Sequence, residues 1–114
     1  MLTKKQACSI KKEVSKGSVQ LAAMLNALSD TGRLKIFRLL AKYEDLCVTD
    51  LANVLEVSVP AASQGLRIME LSGLVKKERR GQMICYVLVK DMPLVRALQR
   101  IVAGVHVATK DSSK

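Results

Sequence analysis

Three cysteines, Cys8, Cys47 and Cys85, have the most distinctive chemistry of any side chains in this sequence. A thiolate binds soft metal and metalloid ions and is readily oxidised. The number of cysteines is odd and their spacing matches no disulfide framework, so we expect no structural disulfide. A free cysteine is also commonly a small buried apolar residue. Each thiol is therefore either a reactive group or a packing residue.

A catalytic set of residues is not evident. His106 is the single histidine, and neither a Glu-x-x-His motif nor a nucleophile motif surrounds it. The sequence contains no glycine-rich phosphate-binding loop. We therefore predict that the protein is not an enzyme and that His106 is an ordinary histidine of a helix.

Residues 48–75 predict a helix, a tight turn and a second helix. Thr49 is expected to cap the first helix and Ser58 the second, with Pro60 in its first turn. Three apolar residues recur at helical spacing and should face the core: Ala62, Leu66 and Met69. The opposite face of the second helix is small, polar and singly basic, which suits a helix lying in a DNA major groove.

Residues 75–89 predict a β-hairpin with its turn at Gly81 and with Ile84, Tyr86 and Leu88 on one face of the second strand. A hairpin directly after a recognition helix is a wing, and basic side chains on it, Lys77 among them, would bind phosphates. Helix and wing together give the predicted DNA-binding residues: Ser58, Ala61, Ser63, Gln64, Arg67, Lys76, Arg79, Arg80 and Gln82.

The flanking segments predict further helices. Residues 3–16 are either a short helix or a disordered arm, and residues 18–29 and 31–43 predict helices, the latter capped by Asp30. Asp91 should cap a last helix over residues 92–108. That helix has two apolar stripes, which suggests contact with both its own core and another subunit. A two-fold dimer through the 18–29 and 92–108 helices would set two recognition helices about 34 Å apart.

Length and charge restrict the class of protein. A chain of 114 residues predicts one domain at 18–109, preceded by a basic arm or short helix at 1–17 and followed by a flexible tail at 110–114. The net charge of +9 and pI near 9.8 favour an anionic partner. Aromatic residues are scarce, which favours double-stranded over single-stranded DNA. No apolar run has membrane-spanning length and no signal peptide is evident, so we expect a cytoplasmic protein without a membrane partner.

Residues 28–88 resemble the ArsR/SmtB family of winged-helix metalloregulators. The matching segments are LSDTGRLKIFRLL, DLCVTDLANVLEVS and SQGLRIMELSGLVKKERRGQMICYVL. The resemblance implies a mainly α fold with a small β-hairpin (α+β), a winged helix-turn-helix with a helical dimer interface. It also implies the function: a homodimeric, sequence-specific regulator of transcription that binds double-stranded operator DNA. Such a regulator is typically a repressor released by an inducer that reacts with thiols.

The resemblance also assigns a role to Cys47. Many family members have Glu-x-Cys-Val-Cys-Asp at this helix start and bind a soft ion through the two thiols. This sequence keeps the first thiol at Cys47 and has Thr49 in place of the second. In some relatives an N-terminal cysteine reaches this helix across the dimer, so Cys8 could complete a site for an ion such as arsenite. Cys47 and Cys8 are thus the predicted metal ligands or redox thiols, no other cofactor is implied, and packing accounts for Cys85.

Two other functions remain open at this point. The missing second thiol favours a DNA-binding regulator without a small-molecule sensor. The small and almost uncharged face of Ala61, Ser63 and Gln64 is compatible with a winged-helix adaptor that binds another protein.

Overall fold

The computed structural model describes residues 1–44 and 46–105. Within these ranges the chain forms six α-helices and one antiparallel pair of strands. In chain order the elements are α1 Lys4–Ser15, α2 Ser18–Leu28, α3 Thr31–Lys42, α4 Val48–Leu55, α5 Val59–Leu71, β1 Val75–Arg80, β2 Met83–Leu88 and α6 Pro93–Ala103. The predicted winged helix-turn-helix is confirmed. The predictions for His106 and for the tail lie outside the described residues.

Helix α1 is formed by its own capping residues. The Thr3 hydroxyl accepts a hydrogen bond from the Gln6 amide at 3.1 Å, and the Gln6 side chain accepts one from the Thr3 amide at 2.9 Å. This reciprocal capping box stabilises the first turn. The segment is therefore a helix rather than a disordered arm, although none of its residues is buried.

Helix α3 lies at the centre of the core, where it contacts α2, α4, α5, α6 and β2. Phe37 of α3 is fully buried, and removal of its large apolar surface from water is a main source of stability. Apolar side chains from every other element except α1 join the same cluster, including Met24, Leu51, Leu66, Met69, Leu74, Tyr86, Leu88 and Val95. Both α4 and α5 are thus attached to one rigid core.

The first helix of the helix-turn-helix has its cap two residues earlier than predicted. Cys47, not Thr49, is its N-cap, and the Asp50 carboxylate accepts a hydrogen bond from the Cys47 amide at 2.8 Å. The prediction for the second helix is confirmed: the Ser58 hydroxyl accepts from the Ala61 amide at 3.1 Å and a proline stands in the first turn.

The hairpin turns at Gly81, as predicted, and Gly73 ends α5. Gly73, just after α5, has φ +90°, and Gly81 at the wing tip has φ +63°. Glycine adopts this left-handed region without steric cost. Glu56, between α4 and α5, takes the same region with φ 57° and so makes the tight turn of the helix-turn-helix.

The last helix differs from its prediction at its first residue. Met92, not Asp91, is the N-cap, because the Met92 carbonyl accepts hydrogen bonds from the amides of Val95 and Arg96. The helix has a buried and an exposed apolar stripe, but the sequence predicts Leu98 on the stripe of Leu94, Ile101 and Val105, and this is wrong. Val95, Leu98 and Val102 are buried in the core, whereas Ile101 and Val105 are exposed. In the described part of the chain, no helix is long and apolar enough to cross a membrane.

Candidate nucleic-acid interface

The outer face of α5 is exposed, and its inner face packs on the core. Leu66 and Met69 are fully buried on its inner face and fix its position on the core. Every residue predicted to contact DNA from this helix and its cap is exposed: Ser58, Ala61, Ser63, Gln64 and Arg67. Small and polar side chains at these positions leave room for base edges to approach the helix.

The wing holds basic side chains at fixed positions beside α5. Lys77 pairs with Tyr86 and Arg79 with Ile84 in the antiparallel register. Successive side chains alternate between the two faces of a strand, so Lys77 and Arg79 share one face. Both are exposed, as are Lys76 and Gln82, and all are available to phosphates.

A groove of about 420 Å³ separates the wing from the recognition helix. We call it the wing–helix groove. Its lining comes from the start of α4, from α5 and from the wing: Cys47, Val48, Thr49, Val59, Ser63, Lys77, Gln82, Met83, Ile84 and Tyr86. Four of these, Thr49, Ser63, Lys77 and Gln82, are exposed polar or basic residues. The predicted recognition helix and wing therefore border one continuous surface.

Arg80 differs from the other predicted phosphate ligands. Its Nε and Nη2 atoms donate to Oε1 of Glu78 at 2.9 and 2.6 Å, and Nη2 also donates to the Glu44 carbonyl at 3.0 Å. This guanidinium joins the wing to the segment before α4. Because its charge is already paired, we expect Arg80 to position the wing and Arg79 to contribute more to DNA affinity.

Tyr86 fixes the base of the wing. Its ring is buried in the core cluster. Burial, and secondarily the Glu70 carboxylate, raise the pKa of its phenol above the ordinary value, against a smaller opposing effect of Arg67. The phenol is therefore neutral at physiological pH, and the wing adds no tyrosinate anion to the groove.

The structure pairs two of the three cysteines. Cys47 and Cys85 form a disulfide, their Cα atoms are 4.1 Å apart, and their backbones also form an isolated antiparallel bridge. Cys8 is a free, exposed thiol on α1. The expectations that no disulfide forms and that Cys85 is only a packing residue are wrong for this structure. The pairing depends on a bridge between residues 38 positions apart, which the local sequence does not reveal.

The described residues of one subunit do not form a metal site with three or more ligands. The described part of the chain contains no cluster of three or more His, Cys, Asp or Glu side chains that could hold a metal ion. A structural zinc or cadmium centre with four ligands therefore does not fit the described residues of one subunit. A link from Cys47 to Cys8 of another subunit stays a prediction.

A helix-turn-helix with an exposed polar recognition face, followed by a basic β-hairpin, defines a winged-helix protein of the DNA-binding type. Residues 30–77 match the family model described as bacterial regulatory protein, arsR family. The chain belongs to the ArsR family of transcriptional regulators. As predicted, this is a family of regulators and not of enzymes.

Individual relatives agree with this assignment. The cadmium resistance transcriptional regulatory protein CadC homolog of Staphylococcus aureus is 37% identical over 77 residues, 67% of this chain and 64% of that protein. The chain thus spans slightly less than two thirds of that relative. An ArsR-like transcriptional regulator from Rhodococcus sp. RHA1 is 30% identical, with a TM-score of 0.60, over 81% of this chain and 88% of the other.

A third relative matches nearly the whole chain. The homodimeric winged helix-turn-helix DNA-binding domain from Mycobacterium bovis is 25% identical, with a TM-score of 0.65. The match covers 99% of this chain and 93% of that one, so it includes the terminal helices as well as the helix-turn-helix and the wing.

Proposed function

We propose that this chain is a homodimeric, sequence-specific regulator of transcription that binds double-stranded DNA, and that it represses until an inducer reacts with its thiols. The observation that supports this most directly is the placement of the exposed α5 face and the basic wing on the two sides of the wing–helix groove. A recognition helix there can reach base edges while Lys77 and Arg79 neutralise phosphates. Base contacts from α5 would provide specificity, and the wing would provide affinity.

The terminal helices offer an apolar surface for a second subunit. Exposed apolar side chains on and beside α2 and α6 include Val19, Leu25, Ile101 and Val105. The two helices are neighbours, since the side-chain amide of Gln20 on α2 lies 3.6 Å from the sulfur of Met92 at the start of α6. A two-fold axis at this surface would place the two recognition helices about one DNA turn apart. The homodimeric M. bovis domain is consistent with this arrangement.

Replacing Ile101 with glutamate should convert the dimer to a monomer. Ile101 is exposed in the single subunit, so the new carboxylate costs little there but would be buried without a partner at the interface. Sedimentation velocity at micromolar concentration measures the change. Leu71→Glu, at an exposed position on α5, is the matched control and should remain dimeric.

Leu98 is unsuitable for this test. It is buried in the core of its own subunit, so a glutamate there would unfold the chain instead of separating two folded subunits. A wild-type protein that sediments as a monomer, or an Ile101→Glu variant that still forms dimers, would contradict the proposed interface.

The inducer is proposed to act at Cys47, which lines the wing–helix groove. Both an oxidant and a thiol-binding metalloid such as arsenite react with this kind of side chain. The test is a gel shift with the DNA upstream of the protein's own gene, with the reduced protein alone and after arsenite or peroxide. We expect the reduced protein to bind and at least one of the two agents to release it. Binding that responds to neither agent would instead support a regulator without a small-molecule sensor.

A further inference from the structure

The two cysteines at the base of the wing are placed where a bond between them would control the DNA-binding surface. Cys47 precedes α4, the first helix of the helix-turn-helix, and Cys85 is in β2 of the wing. We propose that Cys47 and Cys85 form a reversible redox site, in which a peroxide closes the disulfide and thereby weakens operator binding. This inference rests on the proposed DNA-binding function and assigns the regulation of DNA binding to the sulfur atoms of Cys47 and Cys85.

The backbone holds the two cysteines close together. Cys47 and Cys85 face each other in an isolated antiparallel bridge, with a Cα separation of 4.1 Å. Reduction of the disulfide removes one bond and leaves the surrounding chain free to keep this bridge. The reduced thiols would then remain neighbours, ready to be oxidised again.

The pair lies outside the main hydrophobic cluster. Both residues are buried, with Cys47 at 6% and Cys85 at 0% exposure, yet neither belongs to the main hydrophobic cluster. They lie instead at the contact between α4 and β2. Cys47 also lines the wing–helix groove, so a small oxidant can approach it from the DNA-binding side.

The chemistry requires a two-electron oxidant, which we identify as hydrogen peroxide or an organic hydroperoxide. The Cys47 thiolate attacks one oxygen of the peroxide, so that an S–O bond forms and the O–O bond breaks, which gives a sulfenic acid. The departing hydroxide or alkoxide takes up a proton and leaves as water or an alcohol. The Cys85 sulfur then attacks the Cys47 sulfur, forming the S–S bond. The sulfenic hydroxyl leaves with the Cys85 proton as water. Two thiols and one peroxide thus give one disulfide, one water and one further water or alcohol.

Closing the disulfide restricts the movement of the wing. In the closed form β2 is covalently tied to the start of α4, which limits how far the wing, with Lys77 and Gln82, can move relative to Ser63 of the recognition helix. In the reduced form the base of the wing keeps its packing and its backbone bridge, but without the S–S bond the outer part of the wing has more freedom to fit the phosphates while the helix contacts bases. Loss of this freedom on oxidation lowers operator affinity, and the coupling typical of allosteric proteins corresponds to about 5- to 150-fold.

Alkylation tests the bond independently of DNA. Full-length protein is treated with hydrogen peroxide, then with N-ethylmaleimide under denaturing conditions, and its mass is measured. We expect three alkyl groups on the reduced protein and a single group, on Cys8, after oxidation, because the chain has three cysteines and Cys8 is the free one. Three alkylated cysteines after peroxide, or protection of Cys8 in place of Cys85, would overturn the assignment.

Binding to the upstream DNA then tests the switch. Fluorescence anisotropy should show about a 5- to 150-fold loss of affinity for the oxidised wild type, restored by dithiothreitol. Cys85→Ser and Cys85→Ala should bind as the reduced wild type does and ignore peroxide, and the matched Cys8→Ser variant should still respond. Using both variants at position 85 separates loss of the thiol from a packing defect.

The outcomes distinguish failure of the proposed DNA-binding function from failure of the redox inference. If the reduced wild type binds no DNA, the proposed function fails, whatever the alkylation shows. If it binds DNA but its affinity is unchanged or higher after the disulfide has formed, the redox inference fails and the DNA-binding function stands.

Discussion

Raising the salt concentration from about 50 to about 200 mM should weaken DNA binding roughly 10³- to 10⁵-fold, if a dimer neutralises about six to ten phosphates. The physical reason is the release of counterions from DNA by basic side chains, which costs more affinity as free salt increases. The chain has a net charge of +9, and Lys77 and Arg79 are exposed on the wing. Anisotropy titrations across this salt range measure the slope.

The wing should account for a definite share of that slope. Removing two phosphate contacts from each subunit with Lys77→Ala and Arg79→Ala should flatten the logarithmic salt slope by roughly 3 to 4. The loss should be similar for all duplexes, since phosphate contacts position a protein without reading sequence. The matched control replaces Arg38 and Lys42 of α3 with alanine; these line a separate cavity beside α6. A slope that changes equally in both double variants would contradict the wing assignment.

Replacing Leu66 with alanine should lower the free energy of unfolding by about 2–5 kcal/mol, because removal of a fully buried side chain leaves a cavity. Leu66 has 0% exposure. The measurement is urea denaturation of the reduced protein. Leu71→Ala, at an exposed position on the same helix, is the matched control. It should change the free energy of unfolding by no more than about 0.5 kcal/mol, as is usual for surface substitutions.

The two alanine variants also test whether the recognition helix is packed on the core. Leu66 joins α5 to the central helix α3 and its cluster, so its loss loosens the base of the DNA-binding surface. An equal effect of the two alanine substitutions would show that α5 is not packed on the core as described.

The elements could be predicted from sequence where local chemistry determines them. Ser58 and the Thr3–Gln6 pair supply side-chain oxygens to their own helix starts, and Gly73 and Gly81 permit left-handed turns. Thr49 and Asp91 have equally suitable side chains, but the caps are Cys47 and Met92. At the first boundary the Asp50 carboxylate accepts from the Cys47 amide, and at the second the Met92 carbonyl accepts from the first turn, so the type of the capping side chain reveals neither boundary.

The thiol site depended on contacts between distant parts of the chain. Cys85 alternates with Tyr86 along β2, which suggested packing, and no sequence signal indicated that β2 pairs with the start of α4. Similarly, Arg80 has the side chain of a phosphate ligand, and only the fold shows that Glu78 and the Glu44 carbonyl engage it. Residue types predicted which side chains of α5 and the wing are exposed, whereas the pairing of charges and thiols required three-dimensional structure.

The central claim is that α5 reads a particular DNA sequence. Its most direct test is the ratio of dissociation constants for the DNA upstream of the protein's own gene and for a scrambled duplex of equal length and composition, at one physiological salt concentration with reduced protein. We predict at least about 10³-fold tighter binding to the upstream DNA, and a smaller ratio for Gln64→Ala, since a glutamine–adenine pair provides about 1–3 kcal/mol of discrimination. Equal affinity of the wild type for the two duplexes would contradict the claim.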